Sequence, residues 1–426
     1  MSLLRQMLLG STMLALSFSA APAFATELFD ACAAAAASQY EPGHAETGRE
    51  SSAIDTATAI EACTAALAED PESAPLKAWL GRAYDASGDP TQAVTYLEPA
   101  ATAGNALAQT VFGDILIVGE GAPQDMTRGA ELLKLAADAG FAPAQDSLGL
   151  SYDYGEGVAQ DYVEAARWYR RAAEQGLPRA MANLGSMYAE GLGLDRDMVA
   201  ASGWYQRGAD LGDSRAQFNL GKLHETGALG EPDYERAAVL YQASADQNYA
   251  LAANALGYLK QHGYGTKPDL EAAVALYQRA ADEGIAQAQF NLALLYEDGI
   301  GVPQDFALAR QYYRQAAESE NADAAANLGL MYLDGDGGVR DLTKALSFTQ
   351  RAADRGSPVG LNNLGHLYEN GLGVGLDTTR ALELYQQAAD LGYQPGADNR
   401  KRLETALLAP SETPSVKIYP KSKIDN

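Results

Sequence analysis

The chain has 426 residues, of which 47% are hydrophobic and 8% aromatic, so it can bury a core and is not compositionally disordered. Its 56 acidic residues exceed its 31 basic residues and are spread along the chain, which argues against a nucleic-acid partner. Two cysteines and four histidines exclude a disulfide-dense scaffold and a cysteine-rich zinc site, and they leave few ligands for a catalytic metal.

The first 25 residues are typical of a targeting segment. Arg5 supplies a small basic region, and an apolar run follows from Met7 to Ser19. An AxA cleavage site ends at Ala25. A membrane anchor is the alternative, but Gly10 breaks the run, which is shorter than the ~20 residues that a spanning helix needs. We therefore expect cleavage after Ala25, export to the periplasm or the medium, and no membrane insertion of the mature chain.

Residues 26–73 carry both cysteines, Cys32 and Cys63, in alanine-rich stretches that favour helices. Export permits a disulfide between them, with two buried free thiols as the alternative. Chain entropy for a loop of this length gives a stabilisation of roughly 3.5 kcal/mol. We predict a disulfide-clipped N-terminal helical cap.

A 36-residue period organises the chain from Asn105 to Gly392, in eight consecutive windows without insertion or deletion. Two columns of identical residues are filled in all eight windows. The glycines are Gly119, Gly155, Gly191, Gly227, Gly263, Gly299, Gly335 and Gly371, and the aspartates are Asp125, Asp161, Asp197, Asp233, Asp269, Asp305, Asp341 and Asp377. Such a period predicts a repeat architecture.

Each window predicts two antiparallel helices, as residues 177–212 illustrate. The first helix has an apolar face that includes Gly185, where a second helix can approach closely. Gly191 can take positive φ and end this helix. Asp197 then stands where the second helix begins, and its carboxylate can accept the unpaired backbone N–H groups there. These three residues are the predicted structural positions of the repeat.

A tyrosine column on the second helix is predicted to fill the space between neighbouring helix pairs. Its members are Tyr169, Tyr205, Tyr241, Tyr277, Tyr313 and Tyr385. No single pair can bury both of its faces, so the repeats must stack on their neighbours. The predicted fold class is all-α, a right-handed α-solenoid of stacked antiparallel helix pairs.

The windows resemble the Sel1-like repeat, a relative of the tetratricopeptide repeat. The segment AMANLGSMYAEGLG from Ala180 and the segment AARWYRRAA from Ala165 carry this resemblance, which extends over about two thirds of the chain. Residues 74–104 resemble a plain tetratricopeptide unit with a shorter turn and would form the first stacked repeat. At the other end, residues 393–409 are predicted to form a capping helix with Arg400, Lys401 and Arg402 facing solvent, and residues 410–426 a disordered tail.

The sequence contains no convincing catalytic constellation. The histidines at 44, 224, 262 and 366 lie in different repeats or in the cap, and no HExxH, GxSxG or Walker motif is present. Residues 334–337 resemble an EF-hand loop, but Ala345 stands where a bidentate glutamate is required. We predict a protein that is not an enzyme and uses no cofactor or metal.

The resemblance implies that the first helices line a concave face. Residues at two positions beside the Leu-Gly pair would form it: Phe218, Lys222, Asn254, Tyr258, Phe290, Leu294, Ala326, Leu330, Asn362 and His366. An apolar strip flanked by polar residues suits a peptide or helix groove. Alternatively, curvature tucks these side chains against adjacent helices. An asparagine column, with Asn183 and Asn291 among its members, would bond either a ligand backbone or a neighbouring repeat.

The leading hypothesis is an exported, non-catalytic adaptor that binds a protein or peptide partner along the concave face. The resemblance offers two alternatives. Some periplasmic relatives restrain a membrane sensor kinase, which would make the partner a sensor ectodomain. Cysteine-rich relatives are linked to cell-wall peptide or β-lactam binding, but this chain lacks cysteine pairs within its repeats.

Overall fold

A computed structural model describes residues 21–45, 48–49 and 53–408, and every regular element in these ranges is a helix. Residues 1–20 of the predicted signal segment and the predicted tail at 410–426 lie outside them. The first described helix begins at Ala21 and runs through the predicted cleavage site. The helices form two compact units, one up to Trp204 and one from Tyr205 onward.

Within each unit, consecutive helices pack as antiparallel pairs, and each pair packs on the next. The described helices are α1 (Ala21–Ala36), α2 (Thr56–Glu69), α3 (Ala74–Ala86), α4 (Pro90–Thr102), α5 (Ala106–Val118), α6 (Met126–Asp138), α7 (Ala142–Tyr154), α8 (Tyr162–Glu174), α9 (Pro178–Glu190), α10 (Met198–Asp210), α11 (Ser214–Glu225), α12 (Tyr234–Ala245), α13 (Ala250–His262), α14 (Leu270–Asp282), α15 (Ala286–Asp298), α16 (Phe306–Glu318), α17 (Ala322–Asp334), α18 (Leu342–Asp354), α19 (Pro358–Asn370), α20 (Thr378–Asp390) and α21 (Gln394–Leu408). The predicted all-α solenoid of helix pairs is confirmed.

The aspartate column caps the second helices, as predicted. Asp197 accepts the backbone N–H bonds of Val199 and Ala200, both at 2.9 Å. The aspartates of the other seven windows make the same kind of bond. Each capping carboxylate satisfies N–H groups that have no partner within the helix.

The glycine column ends seven of the eight first helices in a left-handed conformation, with φ of 75° at Gly191, whereas the C-cap of α11 is Thr226, one residue before Gly227. The second glycine of the connector has a different, steric role. A Cβ on Gly193 would lie 2.2 Å from the carbonyl oxygen of Tyr162, at the start of the preceding second helix. The connector therefore lies directly on the neighbouring repeat, and only glycine fits there.

The tyrosine column packs on the first helix of its own repeat and also faces the next repeat, where Asn327 donates to the hydroxyl of Tyr313 at 3.2 Å. A Cβ on Gly149 of α7 would meet the ring of Tyr169 on α8 at 2.7 Å. The same contact joins Gly257 and Tyr277, at 2.9 Å. Gly185 occupies this position on α9 and is buried, as predicted. The missing side chain of the glycine makes the room that the tyrosine ring of the same repeat fills.

The buried tyrosine hydroxyls donate to the end of the first helix in their own repeat. Five such bonds, of 2.5 to 3.1 Å, join Tyr169 to Asp153, Tyr241 to Glu225, Tyr277 to Gln261, Tyr313 to Glu297, and Tyr385 to Glu369. Sequence reasoning missed these acceptors, which recur 16 residues before the tyrosine. They satisfy a hydroxyl that would be costly to bury alone.

A disulfide and side-chain hydrogen bonds from α3 fasten the N-terminal region. Cys32 and Cys63 form the predicted disulfide between α1 and α2, with their Cα atoms 4.6 Å apart. The indole N–H of Trp79 on α3 donates to the carboxylate of Glu41, at 3.0 and 3.2 Å to its two oxygens. The loop after α1 thus packs on the first helix of the following pair.

Helix α21 takes the place of the first helix of a further repeat. Its Asn399 donates to Asn362 on α19 at 2.8 Å, 37 residues away. Arg402 donates to the carboxylate of Glu369 at 2.6 Å, so the prediction that this arginine faces solvent is wrong. Lys401 is exposed, as predicted, and Arg400 pairs with Glu404 on the surface at 2.8 Å. A repeat without its second helix thus covers the apolar end of the last complete pair.

Candidate functional site

The predicted binding positions differ in their exposure. Lys222 on α11 is exposed. Five of the other residues are half-buried: Phe218, Asn254, Tyr258, Leu294 and His366. These six side chains lie on the first helices of the unit that begins at Tyr205, and we call them the first-helix strip.

Phe290 and Leu330 do not belong to this strip, which corrects the expectation that they are accessible. Phe290 is 1% exposed and packs 5.8 Å from the ring of Tyr313, and Leu330 is 6% exposed. Ala326 and Asn362 are likewise buried. At these four positions the alternative of side chains tucked against neighbouring helices is confirmed.

Tyr258 lies at the centre of an aromatic cluster. Its ring centroid is 4.4 Å from that of His262 and 6.1 Å from that of Tyr264. Tyr264 also stacks on Tyr234, at 5.1 Å. Most of the His262 side chain is exposed. Its neighbours remove some water from the imidazole, which lowers its pKa, so the ring is neutral at pH 7. The cluster offers flat, largely uncharged surface with polar tips, which suits recognition of a protein surface.

Three residues of the asparagine column bond neighbouring repeats. Asn291 donates to Asn254 at 3.1 Å, and Asn183 donates to Asp146 at 2.9 Å. Asn327 donates to the hydroxyl of Tyr313 at 3.2 Å. For these residues the second alternative, a bond between repeats, is the one found.

The last member of the strip, His366, is held by its own helix. Its Nδ1 lies 2.9 Å from the side-chain nitrogen of Asn370, which also bonds the carbonyl oxygen of His366. Burial lowers the pKa of His366 and outweighs the nearby Glu369 carboxylate, which acts in the opposite sense. The side chain is therefore a neutral hydrogen-bonding group at pH 7.

In the first unit, two of the residues at these helix positions are acids. Asp146, at the position of Phe218, is fully buried and accepts bonds from Arg179 and Asn183. Asp114, at the position of Lys222, accepts a bond from Ser147 at 3.3 Å. Burial raises the pKa of Asp114 to about 7, against the attraction of Arg179. Sequence reasoning missed this cluster, although the repeat register places both aspartates in the columns of the strip.

Among the residues that the structure describes, no group of three or more histidine, cysteine, aspartate or glutamate side chains could hold a metal ion. Nor is any helix described there long and apolar enough to cross a bilayer.

The structure defines a helical repeat protein of the kind that typically serves as an interaction scaffold. The Sel1 repeat profile matches eight consecutive segments, residues 106–141, 142–177, 178–213, 214–249, 250–285, 286–321, 322–357 and 358–393. The chain therefore belongs to the Sel1 repeat family. A tetratricopeptide repeat profile matches residues 52–109, a stretch that includes α2 as well as the predicted unit at 74–104.

Two solved structures share the fold. A Sel1 repeat protein from Oxalobacter formigenes is 30% identical with a TM-score of 0.52, and the match covers 73% of this chain and 90% of that one. A protective antigen of uropathogenic Escherichia coli strains, which displays an SLR fold, is 28% identical with a TM-score of 0.52 over 89% of this chain and 88% of that one. No curated protein matches the chain in sequence.

Proposed function

We propose that this protein is an exported, non-catalytic scaffold that binds a protein partner along the first-helix strip. The observation that carries the proposal is the aromatic cluster around Tyr258 with the exposed Lys222 on the preceding first helix. First helices line the concave face in solenoids of this kind, and such a face accepts extended or helical partners.

The chemistry of the strip supports a protein partner. Aromatic side chains with polar tips are enriched in protein interfaces because they bury much area at little conformational cost. The half-buried Phe218 is held by the rings of Tyr241 and Tyr249, at 5.6 and 5.4 Å, so it is already ordered before a partner binds. An ordered surface loses less entropy on binding.

Export is supported by the targeting pattern of the first 25 residues and by the cysteine pair. A disulfide between Cys32 and Cys63 persists in the periplasm or outside the cell and is rare in a reducing cytosol. The N-terminal sequence of the mature protein purified from a periplasmic fraction tests this part, with Thr26 expected as the first residue.

The binding face is tested by cross-linked affinity capture from an envelope extract. The wild type is compared with a double variant, Lys222→Glu with Tyr258→Asp. Neither residue is fully buried, so we expect the variant to keep the helical circular dichroism and melting temperature of the wild type within a few degrees. The double variant Tyr154→Asp with Lys401→Glu makes the same charge changes at exposed positions that do not belong to the strip.

A protein recovered by the wild type and by the Tyr154 and Lys401 control, but lost with the strip variant, supports the proposal. Equal recovery by all three, or no recovery, contradicts binding at the strip. The identity of the recovered protein also separates the narrower alternatives. A sensor-kinase ectodomain would make the protein a signalling regulator, whereas retention on muropeptides instead of a protein would favour the cell-wall alternative.

A further inference from the structure

A basic cleft lies between α16 and α18, away from the first-helix strip. Its volume is about 400 Å³, and Arg310, Arg314 and Lys344 line it together with Tyr332, Val339 and Asp341. Three cations beside one carboxylate are a local reversal of charge in a chain whose net charge is −25. Such a cleft attracts anions that the rest of the surface repels.

Arg310 lines the cleft and is held in place by contacts within the protein. Its guanidinium lies 3.7 Å from the centroid of the Tyr332 ring. It also donates to the carbonyl oxygens of Val339 and Asp336, at 3.2 and 3.4 Å. These contacts fix the guanidinium and keep its positive charge in the cleft.

Arg314 occupies a position where three of the eight repeats have a basic residue, the others being Lys134 and Arg170. In five other repeats a glutamine stands there and donates to the aspartate four residues later: Gln206, Gln242, Gln278, Gln350 and Gln386. Arg314 is exposed, and among the described residues it forms no such bond. This repeat therefore lacks the hydrogen bond between residues four apart. In its place it has the Arg314 guanidinium, whose N–H groups can donate to a ligand.

Lys344 reaches the cleft from the first turn of α18. Its ammonium is 5.3 Å from the centroid of the Tyr332 ring and 3.6 Å from the carboxylate of Asp341. Asp341 also accepts the backbone N–H bond of Lys344 that caps α18, so its charge is shared between that N–H group and the ammonium. An exposed pair of this length is weak, and a second carboxylate can compete for the ammonium.

We propose that this cleft binds an acidic peptide segment of a protein partner, with carboxylates at Arg314 and Lys344. The two cations come from different helices, and the cleft is much larger than a single tetrahedral anion, which favours two carboxylates on one extended chain. Val339, 85% exposed, and the Tyr332 ring offer apolar contact between the charges. A segment of alternating acidic and aliphatic residues matches this arrangement.

The test measures the affinity of the full chain for a fluorescein-labelled peptide of alternating glutamate and valine, by fluorescence anisotropy at low salt. The variant is Arg314→Gln with Lys344→Ala. Both new residues occur at the same positions in other repeats, as Gln278 and Ala272, so the fold should be kept. We expect binding to weaken by about tenfold or more, and the salt dependence of the wild type to fall.

The matched control is Arg170→Gln with Arg128→Ala, which removes the same two charges at the same repeat positions in the first unit. It should bind the peptide within about twofold of the wild type, because it lies outside the cleft. Equal weakening by the control would overturn the cleft, since net charge alone would then explain binding. Equal affinity for a glutamine and valine peptide, or displacement by low concentrations of inorganic phosphate, would overturn the acidic peptide as the occupant.

Discussion

The two units fill the same helix positions differently. In the first unit these positions include two acids, Asp114 and Asp146, bonded to Ser147, Arg179 and Asn183. In the complete repeats of the second unit they hold no acid and include aromatic and aliphatic side chains, partly exposed at Phe218, Tyr258 and Leu294. The glycine, tyrosine and aspartate contacts that build each repeat are otherwise alike. The scaffold therefore leaves these positions free to differ, and function is to be sought in them rather than in the repeated columns.

The largest expected effect on stability distinguishes a buried from a half-buried aromatic residue beside the Leu-Gly pairs. Phe290→Ala removes a ring that is 1% exposed and should lower the free energy of unfolding by about 3 to 5 kcal/mol. Tyr258→Ala removes a half-buried ring and should cost clearly less, about 1 kcal/mol. Urea denaturation followed by circular dichroism measures both.

A partner-binding measurement completes this comparison. Tyr258→Ala should weaken partner capture while the protein stays folded, whereas any loss with Phe290→Ala should follow the loss of helix signal. If Phe290→Ala were as stable as the wild type, the burial of the Phe290 side chain would be refuted.

The buried acid of the first unit should show the next largest effect. Asp146→Asn keeps the shape of the side chain but loses the charge-assisted bond to Arg179. We expect a cost of about 2 kcal/mol in the free energy of unfolding, since the arginine side chain is itself 48% exposed. Asp138→Asn, at a surface ion pair with Lys134, is the control and should change stability by less than about 0.5 kcal/mol.

Asp114 should make the stability of the first unit depend on pH. Burial raises the pKa of its carboxyl to about 7, from about 4 in the unfolded chain. The folded state therefore holds a proton that the unfolded state has lost, and stability falls as pH rises from about 4 to about 7. Asp114→Asn should reduce this fall without removing it, because burial also raises the pKa of Asp85 and of Glu41.

Urea midpoints measured at several values between pH 4.5 and 7.5 check this prediction. A variant and a wild type with equal slopes would show that Asp114 ionises normally in the folded protein. The carboxyl carbon of Asp114, followed by nuclear magnetic resonance, should titrate near pH 7.

The sequence predicted the elements of the repeat because each depends on local chemistry. A capping carboxylate such as Asp197 and a left-handed glycine such as Gly191 act within a few residues of the chain, so their spacing locates the helix ends. The disulfide partners could be paired because the chain has two cysteines.

Contacts between repeats were less predictable. Phe290 and Tyr258 both stand beside a Leu-Gly pair, yet one is buried and the other half-exposed. The difference depends on what the adjacent helices place against them, such as the Tyr313 ring beside Phe290. The bond from Trp79 to Glu41 likewise joins residues far apart in the chain, and both residues lie outside the 36-residue period.

The smallest expected effect on stability concerns a glutamine pair that two repeats have and the repeat of α15 and α16 lacks. The side-chain oxygens of Gln145 and Gln217 accept bonds from Gln175 and Gln247, at 2.7 and 2.9 Å. At the equivalent place in the repeat of α15 and α16, Ser319 stands 30 residues after Gln289. The side-chain oxygen of Gln289 is buried without a partner in the described structure.

Ser319→Gln should supply the missing donor and raise the free energy of unfolding by about 0.5 to 1 kcal/mol, because it satisfies a buried acceptor. The backbone at Ser319, with φ of −87°, is close to the −80° of Gln175, so the new side chain starts from the same geometry. Ser319→Ala is the control: it places no donor near Gln289 and should not stabilise. If Ser319→Ala raised the free energy of unfolding as much as Ser319→Gln, the effect would come from helix propensity and not from the hydrogen bond. The missing donor beside Gln289 would then have no cost in stability.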